Sequence, residues 1–413
     1  MLRGVKNYSP EEQIQREKIV SIIRSVLKKY GFNPTETPIL NQYSLLSSKY
    51  GGGDEILNEC YRLKDRGDRD LGLRYELTIT LPQFLNENPD IKIPFKRYEI
   101  GKVFRDGPIK KGRIREFTQI DFDIVGVKNQ LGEAEILSVF NEVFKKLNLK
   151  VSIKINNRKI LFGILEYLNI TTNQNSVLLS IDKLDKIGEN NVKKELIDKG
   201  LDKEQINKLF KIFNYSFDEL KKLKNAKIEE GVKEISKIIE YSELLGIDVI
   251  EVSLPLVRGL NYYTGTIYEV FLNSLKSSLG AGGRYDNLLK NLCGKDLPVV
   301  GGSFGLDAIC SVINKENIRN VCEVYFIPVG ISEREYLPIV KKLRDYGLKL
   351  DYDMLNRGIS KNLEYADKNK ISYCIIFGEK EKKEGKLKLK NMSNREEKIY
   401  NVEEVVDVIK NKQ

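Results

Sequence analysis

Apolar and polar positions alternate along this chain with two different periods. Over residues 10–31 apolar residues recur at helical spacing behind Pro10 and the acidic pair Glu11-Glu12, and Gly31 ends the run, which predicts a helix. A strand-like run follows at Glu36–Leu40. Residues 95–126 switch to a period of two, with a turn-rich basic stretch, GPIKKGR, in the middle. That pattern predicts two long antiparallel strands joined by a basic loop. Helical spacing returns over 133–148, followed by a strand at Lys150–Ile155. Residues 170–246 are rich in Lys, Glu, Leu and Ile, contain no proline and keep a helical period throughout, so they read as an inserted helical subdomain. Residues 249–273 and 277–284 regain strand character with glycine-rich turns, and 299–315 run from a glycine-rich strand into a helix. After Cys322 the order is strand, helix (333–346), strand (349–353), helix (360–368), strand (372–378). That alternation predicts a small α/β domain on a parallel sheet.

Composition narrows the classes. A chain of 413 residues suggests two to four domains, and 41% hydrophobic with 31% charged residues supports buried cores. No stretch approaches about 18 uninterrupted apolar residues, and the N-terminus has no apolar signal core, so neither a membrane span nor secretion is expected. Five scattered cysteines without a CxxC pair argue against a disulfide framework or a structural zinc site and fit a reducing cytoplasm. Histidine is absent altogether. Ser-His-Asp and Cys-His catalysis and the zinc-protease motifs are thereby excluded. The net charge of +10 favours a polyanionic partner, although a lysine-rich solvated surface gives the same number. The helical segment is neutral, with 14 lysines against 14 acidic residues, so most of the excess falls on the residues around it.

Four segments could carry chemistry. In FRDGPIKKGRIREFTQIDFD, Lys110, Lys111, Arg113 and Arg115 lie in or beside the loop and Arg105 falls on the first strand. Alternation sends Gln119, Asp121 and Asp123 to one face, with the Phe117 ring at the same parity. Guanidinium groups beside an aromatic face suit a nucleotide; the same pattern also suits a charged ribbon with one solvated face. In LPLVRGLNYYTGTIYE, Arg258 sits among apolar residues in an apparently buried strand, where it needs either an anionic ligand or a structural carboxylate. GAGGRY (280–285) allows close approach of backbone to a ligand, or makes a tight turn. PVVGGSFGLDA (298–308) places small residues before a helix.

The order and wording of these pieces resemble the class II aminoacyl-tRNA synthetases, and among them the histidyl-tRNA synthetase family. YGFNPTETPIL resembles the class's first motif, YEIGKVFRDGPIKKGRIREFTQIDFDIVG the second, and PVVGGSFGLDA the third. LVRGLNYYTG and AGGRYD resemble the two histidine-specific signatures, and the chain after Cys322 resembles a class IIa anticodon-binding domain. The implied fold is α+β: an antiparallel-sheet catalytic domain (1–169 and 247–321), a helical insertion (170–246) and an α/β anticodon-binding domain (322–413). The implied reaction is ATP-dependent ligation of L-histidine to its tRNA through a histidyl adenylate, with Mg²⁺ on the phosphates, by a cytoplasmic homodimer.

The resemblance also assigns roles. Glu76 and Thr78, from Arg74-Tyr75-Glu76-Leu77-Thr78, would bind the substrate's α-amino group with Gln119. Asp123 and Tyr263 would read the imidazole, and Tyr262 and Tyr285 would line its pocket. Arg105 and Arg258 would be the catalytic cations, touching both the histidine carboxylate and the α-phosphate. Arg113 would hold phosphate, Phe117 would stack under adenine, and Lys110 and Lys111 would meet the tRNA acceptor end. No protein ligand for a metal is assigned. Three departures stand out. Ala308 replaces an arginine usual in the third motif, Asn261 replaces an aspartate, and Gly107 replaces an acidic residue. Ala308 leaves open an alternative reading as a catalytically impaired, synthetase-like tRNA-binding or regulatory protein.

Overall fold

The computed structural model describes residues 2–48, 58–109, 114–258, 262–272, 278–314 and 320–411. These fall into two compact units, one comprising Met1–Lys6 and Ile19–Ile313, the other Asn7–Lys18 and Asn314–Gln413. Among the described residues no helix is long and apolar enough to cross a membrane, and the five cysteines are free thiols.

The first unit contains eleven described strands: β1 (Asn33–Pro34), β2 (Leu40–Gln42), β3 (Arg62–Lys64), β4 (Asp70–Leu73), β5 (Phe95–Phe104), β6 (Glu116–Val125), β7 (Val151–Asn157), β8 (Ile250–Val252), β9 (Thr266–Leu272), β10 (Ser278–Arg284) and β11 (Val299–Gly305). Eight form one sheet in the order β1-β5-β6-β11-β10-β9-β7-β8, and β2, β4 and β3 form a small second sheet. The central pairings are antiparallel; only β1 on β5 and β8 on β7 run parallel, at the two edges. The period of two in 95–126 becomes the β5–β6 ribbon, in register from Phe95 opposite Val125 to Phe104 opposite Glu116.

The two faces of this sheet are chemically distinct. Phe122 and Phe304 stack with centroids 5.2 Å apart, and Phe140 of the helix Leu131–Lys146 meets Phe304 edge-on at 4.8 Å, so one face is closed by an aromatic core. Adjacent side chains, such as Asp121 and Asp123 on either side of Phe122, point to the opposite face, and there they are polar. Arg284 ties β10 to that helix through a buried bidentate ion pair with Glu133, at 2.7 and 2.6 Å.

Residues 174–244 contribute helices and no strand among the described residues. Two start with capping boxes, Asp202 with Gln205 and Ser216 with Glu219, and Asn225 caps the long helix Ala226–Leu244. The second unit holds β12 (Val324–Val329), β13 (Leu350–Tyr352), β14 (Tyr373–Gly378), β15 (Leu387–Asn391) and β16 (Glu397–Tyr400) in the order β13-β12-β14-β15-β16.

Two expectations need correction. The sheet of the second unit is mixed, not parallel: β15 and β16 add an antiparallel hairpin whose alternating lysines hide it among polar residues. The strand expected at Glu36–Leu40 is absent over 36–39, where the backbone N–H of Thr37 donates to the Glu99 carboxylate at 3.0 Å; pairing occurs before it in β1 and from Leu40 onward in β2. The strand expected over 277–284 is β10, and GAGGR forms its body, paired on both sides, so the alternative of a tight turn there is not realised.

Candidate active site

The polar face of the large sheet is laid out by register. One rung crosses five strands: Glu99 on β5, Asp121 on β6, Ser303 on β11, Ala281 on β10 and Glu269 on β9. The next rung places Arg97 opposite Asp123, and Asp123 opposite Gly301. Over this floor lies a cleft of about 260 Å³. Glu76, Thr78, Arg105, Gln119, Asp123, Arg258, Tyr262, Tyr263 and Tyr285 all line it.

The floor is low because β10 and β11 are built largely from glycine. A Cβ on Gly301 would collide with the Asp123 carboxylate and stand 3.0 Å from the Tyr285 hydroxyl. Any side chain there would fill the bottom of the cleft, which is the physical reason glycine occupies the middle of a strand it otherwise weakens.

Residues 74–80 form one wall. Tyr75, Leu77 and Ile79 are buried in apolar surroundings, which turns Arg74, Glu76 and Thr78 the other way. Arg74 is locked in place by Glu99 at 2.7 Å, the Thr37 carbonyl at 2.7 Å and the Lys102 carbonyl at 2.9 Å. Glu76 is 4% exposed, accepts from the Tyr262 hydroxyl at 3.4 Å, and leaves its Oε1 without a hydrogen-bond partner. Burial, opposed by Arg105 and reinforced by Asp121, pushes its pKa up to about 8. Arg105 stands one residue beyond β5 instead of on it, and its Nε donates to the Tyr75 carbonyl at 3.0 Å. Its guanidinium lies 5.2 Å over the ring of Phe117, which sits outside the cleft wall.

Asp123 is 2% exposed, accepts from the Tyr285 hydroxyl and pairs with Arg97 at 2.8 Å. Burial raises its pKa in spite of Arg97. Tyr262, Tyr263 and Tyr285 form a cage with centroid separations of 4.8, 5.5 and 6.4 Å. Burial keeps all three phenols protonated, with Tyr263 at about 12.

Arg258 does not lie on a strand. It ends an irregular segment after β8, held by the buried Asn156 amide, which donates to the Leu254 and Leu256 carbonyls at 2.9 and 3.0 Å. Its Nη1 pairs with Glu269 at 3.1 Å, and its Nε has no partner among the described residues. Burial disfavours the charge, but Glu269 and the neighbouring phenols outweigh it, so the side chain stays cationic. The structural carboxylate that one reading of this arginine called for is therefore present, in Glu269.

Lys110, Lys111, Arg113 and Asn261 lie outside the described residues. Ala308, on the helix Leu306–Val312, packs against the apolar core. At Gly107 the Glu59 carboxylate lies 2.5 Å from where a Cβ would stand, so an acid occupies that corner from another part of the chain. Sequence reasoning gave no role to Asp121, Ser303, Glu269 or Arg97, all of which face or brace the cleft. Two signals were available: the shared parity of Asp121 with Gln119 and Asp123, and a lone acid, Glu269, within the apolar strand TIYEVFL.

A family described as histidyl-tRNA synthetase matches residues 4–309, and an anticodon binding domain matches residues 323–412. A histidine–tRNA ligase 1 of Bacillus cereus is 45% identical over 409 residues, covering 96% of each chain. A histidine–tRNA ligase of Clostridium tetani is 36% identical and covers all of this chain and 98% of its own. Among solved structures, histidyl-tRNA synthetase from Nostoc sp. PCC 7120 superposes with a TM-score of 0.88 at 30% identity, covering 100% of this chain and 99% of its own. A Bacillus halodurans structure titled as an ATP phosphoribosyltransferase regulatory subunit/histidyl-tRNA synthetase shares the fold, with a TM-score of 0.78 at 18% identity, 92% of this chain and 98% of its own.

Proposed function

Given that this chain belongs to the histidyl-tRNA synthetase family and is a ligase that charges tRNA with histidine at the expense of ATP, we propose that the cleft over the glycine floor is where histidine is activated. The observation that carries this reading is the joint placement of Glu76, Gln119, Asp123, Arg105, Arg258 and the three tyrosines around one cavity. Carboxylates stand where an ammonium is needed, a carboxylate with phenols where an imidazole is needed, and guanidinium groups where charge develops.

In this reading the α-ammonium docks at Glu76, Thr78 and Gln119, and the ring enters the tyrosine cage against Asp123. A site that hydrogen-bonds its substrate's ring rejects side chains that lack those groups. The histidine carboxylate, already ionised, attacks the α-phosphorus of ATP, and the bond to the pyrophosphate leaving group breaks. No general base is required. Arg105 and the free Nε of Arg258 neutralise the charge that builds on the phosphoryl oxygens. Adenine is proposed to lie beyond the rim beside Phe117, with Arg113 on phosphate. A terminal ribose hydroxyl of tRNA, guided by Lys110 and Lys111, then attacks the carbonyl carbon and releases AMP, while the second unit holds the anticodon end.

The Mg²⁺ expected with ATP is proposed to arrive on the nucleotide's own phosphates. We also propose a cytoplasmic homodimer: in the first-motif segment Ile39 and Leu40 are 42% and 49% exposed, apolar surface suited to a second copy.

The test is ATP–pyrophosphate exchange with each of the twenty amino acids in turn. Exchange with histidine alone, lost in Arg258→Ala, is expected. Exchange with another amino acid, or none from folded protein supplied with tRNA, would remove the assignment of this cleft.

A further inference from the structure

The amino end of the cleft contains more acceptors than the roles above use. Glu76 Oε1 and Gln119 Oε1 are both buried without a hydrogen-bond partner among the described residues. Beside them Asp121 is 3% exposed and lines the same cavity. Among the described residues its oxygens receive hydroxyl donors, Ser303 Oγ and, at 3.4 Å, Thr78 Oγ1. Gln119 Nε2 is turned away from the cleft's acceptors by donating to Ser303 Oγ at 3.2 Å. Two oxygens thus lack a donor among the described residues, and a third, Asp121 Oδ2, has a hydroxyl no nearer than 3.4 Å, while an ammonium supplies three N–H donors and one positive charge.

We propose that Asp121 is the third acceptor for the substrate's α-ammonium, and that histidine enters this recess in exchange for a proton held between Glu76 and Asp121. The proposal rests on the histidine site described above and deepens it. Thr78 then acts through Asp121, orienting it, as Ser303 does from the neighbouring strand.

The charges facing this pair explain why a proton is held there. Asp123 lies two residues along β6, and Glu99 lies opposite Asp121 on β5. Arg97 answers chiefly Asp123 and Glu99, with ion pairs to both. Arg105 faces Glu76, while Tyr262 and Tyr263 add phenols and no cation. Burial and the neighbouring Asp123 carboxylate push Asp121 up to about 7, and Glu76 lies at about 8. An empty recess at neutral pH therefore carries roughly one proton where two ionised acids would repel each other in low dielectric. The ammonium replaces that proton, which leaves to solvent. No covalent bond changes.

The test is calorimetric titration of the full chain with L-histidine at pH 7.5 in phosphate and in Tris, whose ionisation enthalpies differ. About one proton is expected to be released per histidine bound, and affinity should strengthen by up to about tenfold per pH unit as pH rises toward 7.5. Imidazole-4-propionate, which has the same ring and a carboxylate but no amine, is expected to release none. Asp121→Asn is expected to halve the release or more and to weaken histidine binding by about tenfold. No release from the unmodified protein would overturn the proposal without any variant. So would Asp121→Asn matching the unmodified protein in release and affinity while Glu76→Gln loses histidine binding; in that case the histidine site stands. If neither variant affects binding and imidazole-4-propionate binds as tightly as histidine, both the proposal and the site it rests on fail.

Discussion

Glu76 and Asp121 make the folded protein a better base than the unfolded chain. Their pKa values rise from the ordinary carboxyl range to about 8 and about 7, because burial removes the water that would solvate the anions. Between those ordinary values and pH 8 the folded state binds more protons than the unfolded state, so stability falls as pH rises. The first unit is expected to melt at lower temperature at pH 8 than at pH 5.5. Asp121→Asn should flatten that slope and raise the melting temperature at pH 8, by about 2–4 °C per kcal/mol gained. Differential scanning calorimetry across pH checks it; a slope that steepens in the variant would contradict the assignment of burial as the cause. Arg97 shows what this scale hides from sequence. It reads as one more charge in a lysine- and arginine-rich ribbon, yet it is fully buried and pairs with both Glu99 and Asp123. Only the register of β5 against β6 reveals that partnership.

At the scale of elements, what was legible depended on how well local pattern matched local structure. The β5–β6 ribbon and the helices at Pro10–Lys29 and Leu131–Lys146 follow directly from period-two and helical spacing. The strand character read over 277–284 becomes β10, while the tight turn that its glycines also allowed is overridden by tertiary pairing on both sides. The β15–β16 hairpin was missed because LKLKN buries only alternate residues under a solvated lysine face. Most candidate site residues came from the resemblance and fall together in the cleft, whereas Asp121 and Glu269 required the sheet's cross-strand order to be seen as part of it. That order also predicts where the sheet is fragile. Glu133→Ala removes the carboxylate from the Arg284 ion pair and leaves a buried guanidinium on β10. A loss of about 3–5 kcal/mol is expected in denaturant unfolding of the first unit, well above that of an exposed pair such as Lys341–Asp345.

At the scale of the whole molecule, every residue lining the cleft lies between Glu76 and Gly305 and belongs to the first unit. The second unit has its own cores, one built on Phe326, Phe377 and Val405 and another on Tyr325, Ile327 and Cys374. If the cleft is the proposed activation site, amino-acid activation and tRNA capture fall to different units of the chain. A chain ending at Ile313 is expected to retain histidine-dependent pyrophosphate exchange while losing most tRNA charging, measured side by side with the full chain. Parallel loss of both would mean that the first unit does not stand alone. The tyrosine cage carries a further consequence at this scale. The protein contains 21 tyrosines and no tryptophan, so no indole drains excitation away from the phenols. The three rings that surround the proposed imidazole site are therefore also an optical probe, and the arrival of substrate should be visible in the protein's own ultraviolet emission without any label.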